Sequence, residues 1–184
     1  WFPHTDLAMT KTNTRLAGDA PRHPLPPVSK WVDDVLLGSA AHQTVCTAGR
    51  LVPPLVPSIN RLSARVWGDR EFTDWSANVF ATRRTVRFTE MEYALPADRV
   101  RPAFDAVRAL IADRGWRISF PIEVRFAAAD DRWLSTAYDR ASGYIAVHRY
   151  WRDDPTEYFE AAEEILLAHD GRPHWGKMHT QDAA

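Results

Sequence analysis

Ionisable side chains that could form a site occur in segments with the alternating pattern of β-strands. Because successive side chains of a strand point to opposite faces, Glu123 and Arg125 share one face of PIEVRF, and His148 and Tyr150 share one face of GYIAVHRYW. If helices cover the apolar faces, all four side chains could project from the uncovered side of one sheet. The pattern alone favours a solvated face with cross-strand ion pairs, because antiparallel sheets often have one wet side.

A third segment, VRFTEMEY, has the same alternation. Glu90 and Glu92 fall on one of its faces, and Met91 and Tyr93 fall on the other.

The order of the helices and strands predicted along the chain indicates an α+β fold. Helices are expected near 97–114 and 155–169, and strands near 84–96, 118–127 and 143–151. The loop between the last two strands is too short for a parallel crossover, so those strands are expected to be antiparallel. A mostly antiparallel sheet with helices packed on one face follows, the helices covering the face of Ile122 and Val124.

The first part of the chain gives weaker signals. Residues 1–16 alternate like an extended segment, a helix is predicted from Ser29, and a shorter helix is predicted near 59–66. The lone cysteine, Cys46, lies in an apolar helical stretch and is expected to pack there.

Composition excludes several classes of partner. A formal net charge of -1 gives no reason to expect nucleic acid, and no apolar run approaches the ~20 residues of a membrane span. One cysteine excludes an internal disulfide and agrees with a reducing, cytoplasmic compartment. The histidines lack the spacing of metal ligands, so no metal site is predicted. Phosphate-binding GxGxxG and GxxxxGK loops are absent from the sequence.

The closing stretch RPHWGK, residues 172–177, resembles the final signature of the aldonolactone oxidoreductases. These are flavoproteins of the vanillyl-alcohol oxidase type, and they include gulonolactone, galactonolactone and arabinonolactone oxidases or dehydrogenases. VRFTEMEYALP, FPIEVRFAAADDRWLSTAY and YIAVHRYW resemble three further blocks of the family, in the same order. Together the blocks cover most of residues 79–180.

The resemblance implies a two-part enzyme, of which this chain is similar to one part. In the family an N-terminal domain binds FAD and a cap domain roofs the flavin. Residues 1–184 are expected to be the substrate-binding cap domain alone, a fragment without activity of its own. FAD would be held mainly by a flavin-binding domain on the same polypeptide or on a companion chain. Membrane association would belong to the full-length enzyme, with no sign of it in this chain.

The resemblance also implies roles for individual residues. Glu123 and Arg125 match a Glu-x-Arg pair in which the carboxylate binds sugar hydroxyls and the guanidinium lies near the reacting carbon. His148 matches a histidine close to the hydroxyl that is oxidised. Lys177 matches a lysine near the substrate and the flavin.

Three aromatic side chains complete the set of residues implied by the resemblance. His174 and Trp175 would contact the flavin together with Lys177. Tyr150 stands where alditol oxidases are expected to carry a small hydroxyl residue, and a tyrosine there would narrow the substrate pocket. A sugar-derived 1,4-lactone is therefore favoured as substrate. The alternatives are the cap of an alditol oxidase and a stand-alone, non-catalytic sugar-binding module of the same fold.

Overall fold

A computed structural model describes residues 1–31, 41–66, 69–81 and 86–182. The helices are α1 (Pro27–Trp31), α2 (Ala41–Leu51), α3 (Val56–Val66), α4 (Ser76–Phe80), α5 (Val100–Asp113) and α6 (Thr156–Ala168), with a 3-10 turn at Pro53–Leu55. The strands are β1 (Phe88–Pro96), β2 (Glu123–Ala127), β3 (Ser142–Tyr150) and β4 (Arg172–Pro173). The predicted α+β class is confirmed.

The strands form one antiparallel sheet in the order β2-β3-β1-β4. The antiparallel pairing of β2 with β3 is confirmed. β3 lies at the centre, where Ala146 is opposite both Glu92 of β1 and Glu123 of β2. This register brings the polar face of β1 into line with the polar faces of the other two long strands.

Helices α5 and α6 cover the apolar face of the sheet. The core joins their buried side chains to those of the strands, a set that includes Met91, Tyr93, Leu95, Val107, Ile111, Ile122, Ile145, Val147, Phe159 and Leu166. Ile122 is buried there as predicted, whereas Val124 is 37% exposed because β2 is an edge strand. Arg125 extends away from this layer, as its position on the strand predicts.

Part of the opposite face is covered as well. Cys46 of α2 packs in a second core cluster with Val86, Phe120 and Tyr150. The prediction that Cys46 packs in a helix is confirmed, and burial raises the pKa of its thiol to about 12. The open polar surface of the sheet is therefore smaller than the strand pattern alone implies.

The predicted boundaries differ from the observed ones at several ends. β2 begins at Glu123 rather than near residue 118, because Pro121 has no N–H for a ladder and the Ile122 N–H donates to the Trp1 carbonyl. β1 begins at Phe88, and residues 84–85 of the predicted strand lie outside the described residues. Residues 1–16 form no strand and include a turn near the start.

The two long helices begin and end close to the predicted places. Gly115 ends α5 with φ 65°, a left-handed conformation that glycine adopts without strain. Asp154 Oδ1 accepts the Thr156 N–H at 2.9 Å and caps the start of α6. Glu157, in the first turn of α6, pairs with Arg114 on the surface.

The weaker predictions for the N-terminal part have mixed outcomes. The helix near 59–66 is confirmed as part of α3. The helix predicted from Ser29 begins in α1, and its continuation lies outside the described residues. Across the described ranges, no helix is both long and apolar enough to span a membrane.

Candidate functional site

Two carboxylates of β1 form the centre of a buried group of charges. Glu92 is only 3% exposed, and Glu90 is partly buried two residues earlier on the same face. Beside Glu92 across the ladder lies Ala146, whose small side chain leaves space above β3. Charged side chains from other elements enter this space.

Arg125 reaches the centre from the edge strand. Its guanidinium forms an ion pair with Glu92 Oε2 while its side chain stays 52% exposed. β1 and β2 lie on either side of β3, about 10 Å apart at the usual strand spacing. The arginine can span that distance because only Ala146 lies opposite Glu92 on the strand between them. One edge of the Arg125 guanidinium therefore pairs with Glu92, and the rest of the side chain is open to solvent.

Lys177 arrives from the segment that follows β4. The segment runs beside β1, with the His174 N–H donating to the Glu92 carbonyl and the Met178 N–H donating to the Glu90 carbonyl. Lys177 Nζ lies 2.5 Å from Glu90 Oε1 and 2.8 Å from Glu92 Oε2. Its ammonium therefore bridges the two carboxylates.

His148 lies directly opposite Glu90 in the ladder between β1 and β3. Its Nε2 is 3.3 Å from Glu90 Oε1, and its Nδ1 is 3.2 Å from the Pro121 carbonyl oxygen. The ring packs against Phe88 and Phe120, which also contact each other, and is 5% exposed. Contacts at both nitrogens and on the ring hold the imidazole in one orientation.

The electrostatics favour the ionised form of Glu90. Burial, the largest single influence, raises the pKa of Glu90, but hydrogen bonds from His148 and Lys177 and their positive charge outweigh it. The resulting pKa of Glu90 is about 2. We use the name ion cluster for these contacting residues: Glu90, Glu92, Arg125, His148 and Lys177.

The ion cluster unites the three residues for which a catalytic role was predicted, Arg125, His148 and Lys177. The other predicted site residues lie around it. Glu123 is half-buried on the same face, where its charge interacts with the Trp1 ammonium, and within the described ranges its side chain forms no hydrogen bond or close ion pair. Trp175 is 66% exposed beside His174, whose Nδ1 accepts the Gly176 N–H at 3.1 Å.

Tyr150 occupies a different environment from the one expected for it. It is 2% exposed, and its hydroxyl faces α2, 3.4 Å from Thr47 Oγ1. The α2 helix covers this end of the polar face, so Tyr150 lies in the second core cluster rather than beside the ion cluster. Its role in narrowing a substrate pocket stays a prediction.

Glu90 and Glu92 are the members of the ion cluster to which sequence reasoning gave no role. The strand alternation placed them on one face, which was the available signal. Their partners became visible only with the strand order, because Lys177 is 85 residues beyond Glu92. Across the described ranges, no group of His, Cys, Asp or Glu side chains is arranged to hold a metal ion.

These features define an α+β domain with a charged cluster on the sheet face opposite α5 and α6. The family model for D-arabinono-1,4-lactone oxidase matches residues 1–184, and the chain belongs to this family. The resemblance noted in the sequence is thereby confirmed.

Individual relatives agree with the family. The chain is 44% identical over 183 residues to an L-gulono-1,4-lactone dehydrogenase of Mycobacterium tuberculosis, a match that covers 100% of this chain and 42% of the relative. It is 32% identical to an L-gulonolactone oxidase of Scyliorhinus torazame, over 98% of this chain and 41% of the relative. An alditol oxidase of a Streptomyces species is 37% identical over 98 residues, which cover 52% of this chain and 23% of that protein. The chain thus spans about two fifths of the length of the first two relatives.

Proposed function

We propose that this chain is the substrate-binding cap of an FAD-dependent oxidoreductase that oxidises a sugar-derived 1,4-lactone. The substrate class comprises gulono-, galactono- and arabinono-1,4-lactones. The observation that carries the proposal is the ion cluster, because it joins Arg125, His148 and Lys177 in a chain that the lactone oxidase family matches throughout. The cap would act with a flavin-binding domain of the same polypeptide or of a companion chain.

His174, Trp175 and Lys177 are better suited to contact the flavin ring of FAD than to bind the phosphates of FAD. Trp175 offers an exposed indole beside His174, and such a surface can pack against a flat aromatic ring. Lys177 has three N–H donors, and the carboxylates of the cluster accept from two of them. His174, Trp175 and Lys177 would contact the ring, while a second domain would hold the phosphates. FAD, when bound, supplies the acceptor for a hydride from the carbon that carries the oxidised hydroxyl.

Substrate binding would depend on the two polar side chains of β2. Glu123 has free carboxylate oxygens that can accept from neighbouring sugar hydroxyls, and the exposed side of Arg125 can donate to ring or carbonyl oxygens. Because both extend from one strand, they would fix the orientation of the reacting carbon.

Proton transfer would belong to His148. Its Nδ1 faces the Pro121 carbonyl and its Nε2 faces Glu90 Oε1, so a neutral ring with its hydrogen on Nδ1 would take up the proton of the hydroxyl at Nε2, on the Glu90 side. Glu90 lies 3.3 Å from Nε2, so its carboxylate would stabilise the positive charge on the ring. Arg125 and Lys177 would supply positive charge beside the flavin, which gains negative charge when it accepts the hydride.

Oxidation of a linear alditol is the second candidate function. The match with the Streptomyces alditol oxidase favours it, although that match covers only half of this chain. The two candidates use the same hydroxyl chemistry and differ in whether the substrate is cyclic.

The test uses the full-length polypeptide that carries this chain together with a flavin-binding domain. We expect anaerobic mixing with L-gulono-, L-galactono- or D-arabinono-1,4-lactone to bleach the flavin absorbance in a single turnover. Faster bleaching by an alditol such as xylitol would favour the second candidate. Binding of lactone without bleaching by any of these compounds would indicate a sugar-binding module and contradict the proposal.

A further inference from the structure

We infer that Glu90 and Glu92 are positioning residues, which hold Arg125, Lys177 and His148 in the arrangement that the chemistry requires. The inference rests on the proposed function for its kinetic consequence, while its structural part can be measured in the chain itself. One oxygen of each carboxylate is already engaged: Glu92 Oε2 pairs with Arg125 and Lys177, and Glu90 Oε1 pairs with Lys177 and His148.

Glu92 fixes the positions of the Arg125 and Lys177 side chains. It is almost fully buried, and its Oε2 accepts from both Arg125 and Lys177. Arginine and lysine side chains have many rotamers, and holding one in place costs conformational entropy. A buried carboxylate between them offsets this cost, because each cation gains a charge-assisted hydrogen bond where water is excluded. Without that carboxylate, the half-exposed Arg125 would turn towards solvent.

Glu90 fixes the orientation of the His148 ring and provides the second carboxylate contact of Lys177. Its Oε1 lies between Lys177 Nζ at 2.5 Å and His148 Nε2 at 3.3 Å. The Pro121 carbonyl faces the opposite nitrogen of the ring. A carboxylate at one nitrogen and a carbonyl at the other define both the ring orientation and the atom that exchanges a proton.

Simple packing does not account for a buried acidic pair. Two carboxylates so close together repel each other, and replacing a buried ion pair with apolar side chains of similar volume is often neutral or stabilising. The pair is instead explained by what it holds: three groups from three separate elements, β2, β3 and the segment after β4.

The structural test uses nitrogen-15 NMR of the 184-residue chain. In wild type we expect Arg125 and Lys177 side-chain N–H signals that exchange slowly with water, and ring nitrogen shifts of His148 that differ from those of an exposed histidine. Glu92→Gln should move the Arg125 and Lys177 signals towards those of exposed side chains. Glu90→Gln should move the Lys177 and His148 signals but leave Arg125 in place.

Glu163→Gln is the matched control for buried charge. Glu163 is 4% exposed, accepts hydrogen bonds from Thr180 and Tyr93, and lies on the helix side of the sheet. We expect this variant to lower the melting temperature without moving the Arg125 and His148 signals. The control therefore separates a loss of stability from a loss of positioning at Arg125 and His148, whereas Lys177 shares its segment with Thr180 and is not scored in this variant.

The kinetic test uses the full-length flavin-containing polypeptide. Glu92→Gln is expected to slow flavin reduction by lactone roughly 10- to 100-fold, the size of effect known for partners that orient metal ligands. The dissociation constant of the lactone should change much less, because Glu123 and the backbone of β2 remain. Glu90→Gln should also alter the pH profile of reduction through His148.

The two readouts decide the inference in every case. Unchanged Arg125, Lys177 and His148 signals in both variants would overturn it whatever the activity of the enzyme. Moved signals with a wild-type rate of flavin reduction would overturn the positioning role and leave the proposed function intact. If the wild-type enzyme reduces no flavin with any lactone or alditol, the proposed function fails, and the NMR comparison still decides what the carboxylates hold.

Discussion

Among the residues of the ion cluster, Glu92 is the carboxylate on which the placement of both cations depends. It is buried at the centre of the sheet and is paired with two cations that come from opposite directions. Removing either cation leaves the other as its counter-ion, so single substitutions of Arg125 and Lys177 are expected to be tolerated by the fold. The consequences of those substitutions should appear in catalysis.

Arg125→Ala in the full-length enzyme is the first prediction. Turnover should fall more than the Michaelis constant rises, because the guanidinium matters most as negative charge develops. By analogy with oxyanion donors, the loss should be about 10²–10³-fold in rate. Lys177→Ala should be milder while Arg125 remains, and Glu123→Ala should mainly weaken substrate binding. Arg101→Ala, a change on the exposed side of α5, is the control, and equal rates for the Arg125 and Arg101 variants would contradict the assignment.

The second prediction concerns pH. Since the pKa of Glu90 falls from 4.5 to about 2 on folding, its ionised form stabilises the native state. This contribution is fully present above about pH 4.5 and is lost as the pH falls towards 2. Urea unfolding at pH 5 and pH 3 should show a steeper loss of stability in wild type than in Glu90→Gln. Parallel curves for the two proteins would show that Glu90 is not coupled to folding in this way.

At the scale of elements, the central strand β3 controls how the two layers approach each other. Gly143 lies where β3 faces Phe126 of β2 and Val100 at the start of α5. A Cβ at this position would overlap Val100 Cγ2 and would lie 3.0 Å from Phe126 Cε1. The absence of a side chain therefore lets helix and sheet pack closely.

Gly143→Ala is accordingly expected to destabilise the protein by about 1–3 kcal/mol, the usual cost of overpacking a core. Gly18→Ala is the control, since a Cβ there would meet nothing within 4 Å. Chemical denaturation of both variants measures the difference. If Gly143→Ala is as stable as Gly18→Ala, β3 and α5 can separate without cost and the packing argument is wrong.

At the scale of the whole molecule, the chain is about two fifths as long as its first two relatives. Under the proposed function, its own residues would contact the ring of the flavin, and a second domain would hold the phosphates. The exposed Trp175 and the exposed side of Arg125 belong to the surface on which the flavin domain would lie under the proposed function. Binding of the cofactor should therefore need both parts.

The purified 184-residue chain is expected to carry no tightly bound FAD. Absorbance between 350 and 500 nm and the intact mass measure this directly. Stoichiometric FAD on the isolated chain, with no second polypeptide present, would show that the chain contains a complete cofactor site.

The sequence by itself determined which side chains share a face. Strand alternation placed Glu123 with Arg125 and Glu90 with Glu92, and the apolar spacing of α5 and α6 located the helix layer correctly. These features depend on residues two to four positions apart, and such local periodicity is visible in a single sequence. The family signatures added Lys177 to the candidate site and gave His148, already placed by the alternation, its proposed role.

Only the tertiary structure decided which of those faces meet. The strand order places β1 between β3 and β4, and this brings Lys177 onto Glu90 and Glu92. It also places α2 over Tyr150, which the strand pattern alone had left on an open face. Register and strand order arise from contacts between residues far apart in the chain, and the alternation within one strand is the same whichever neighbour it pairs with.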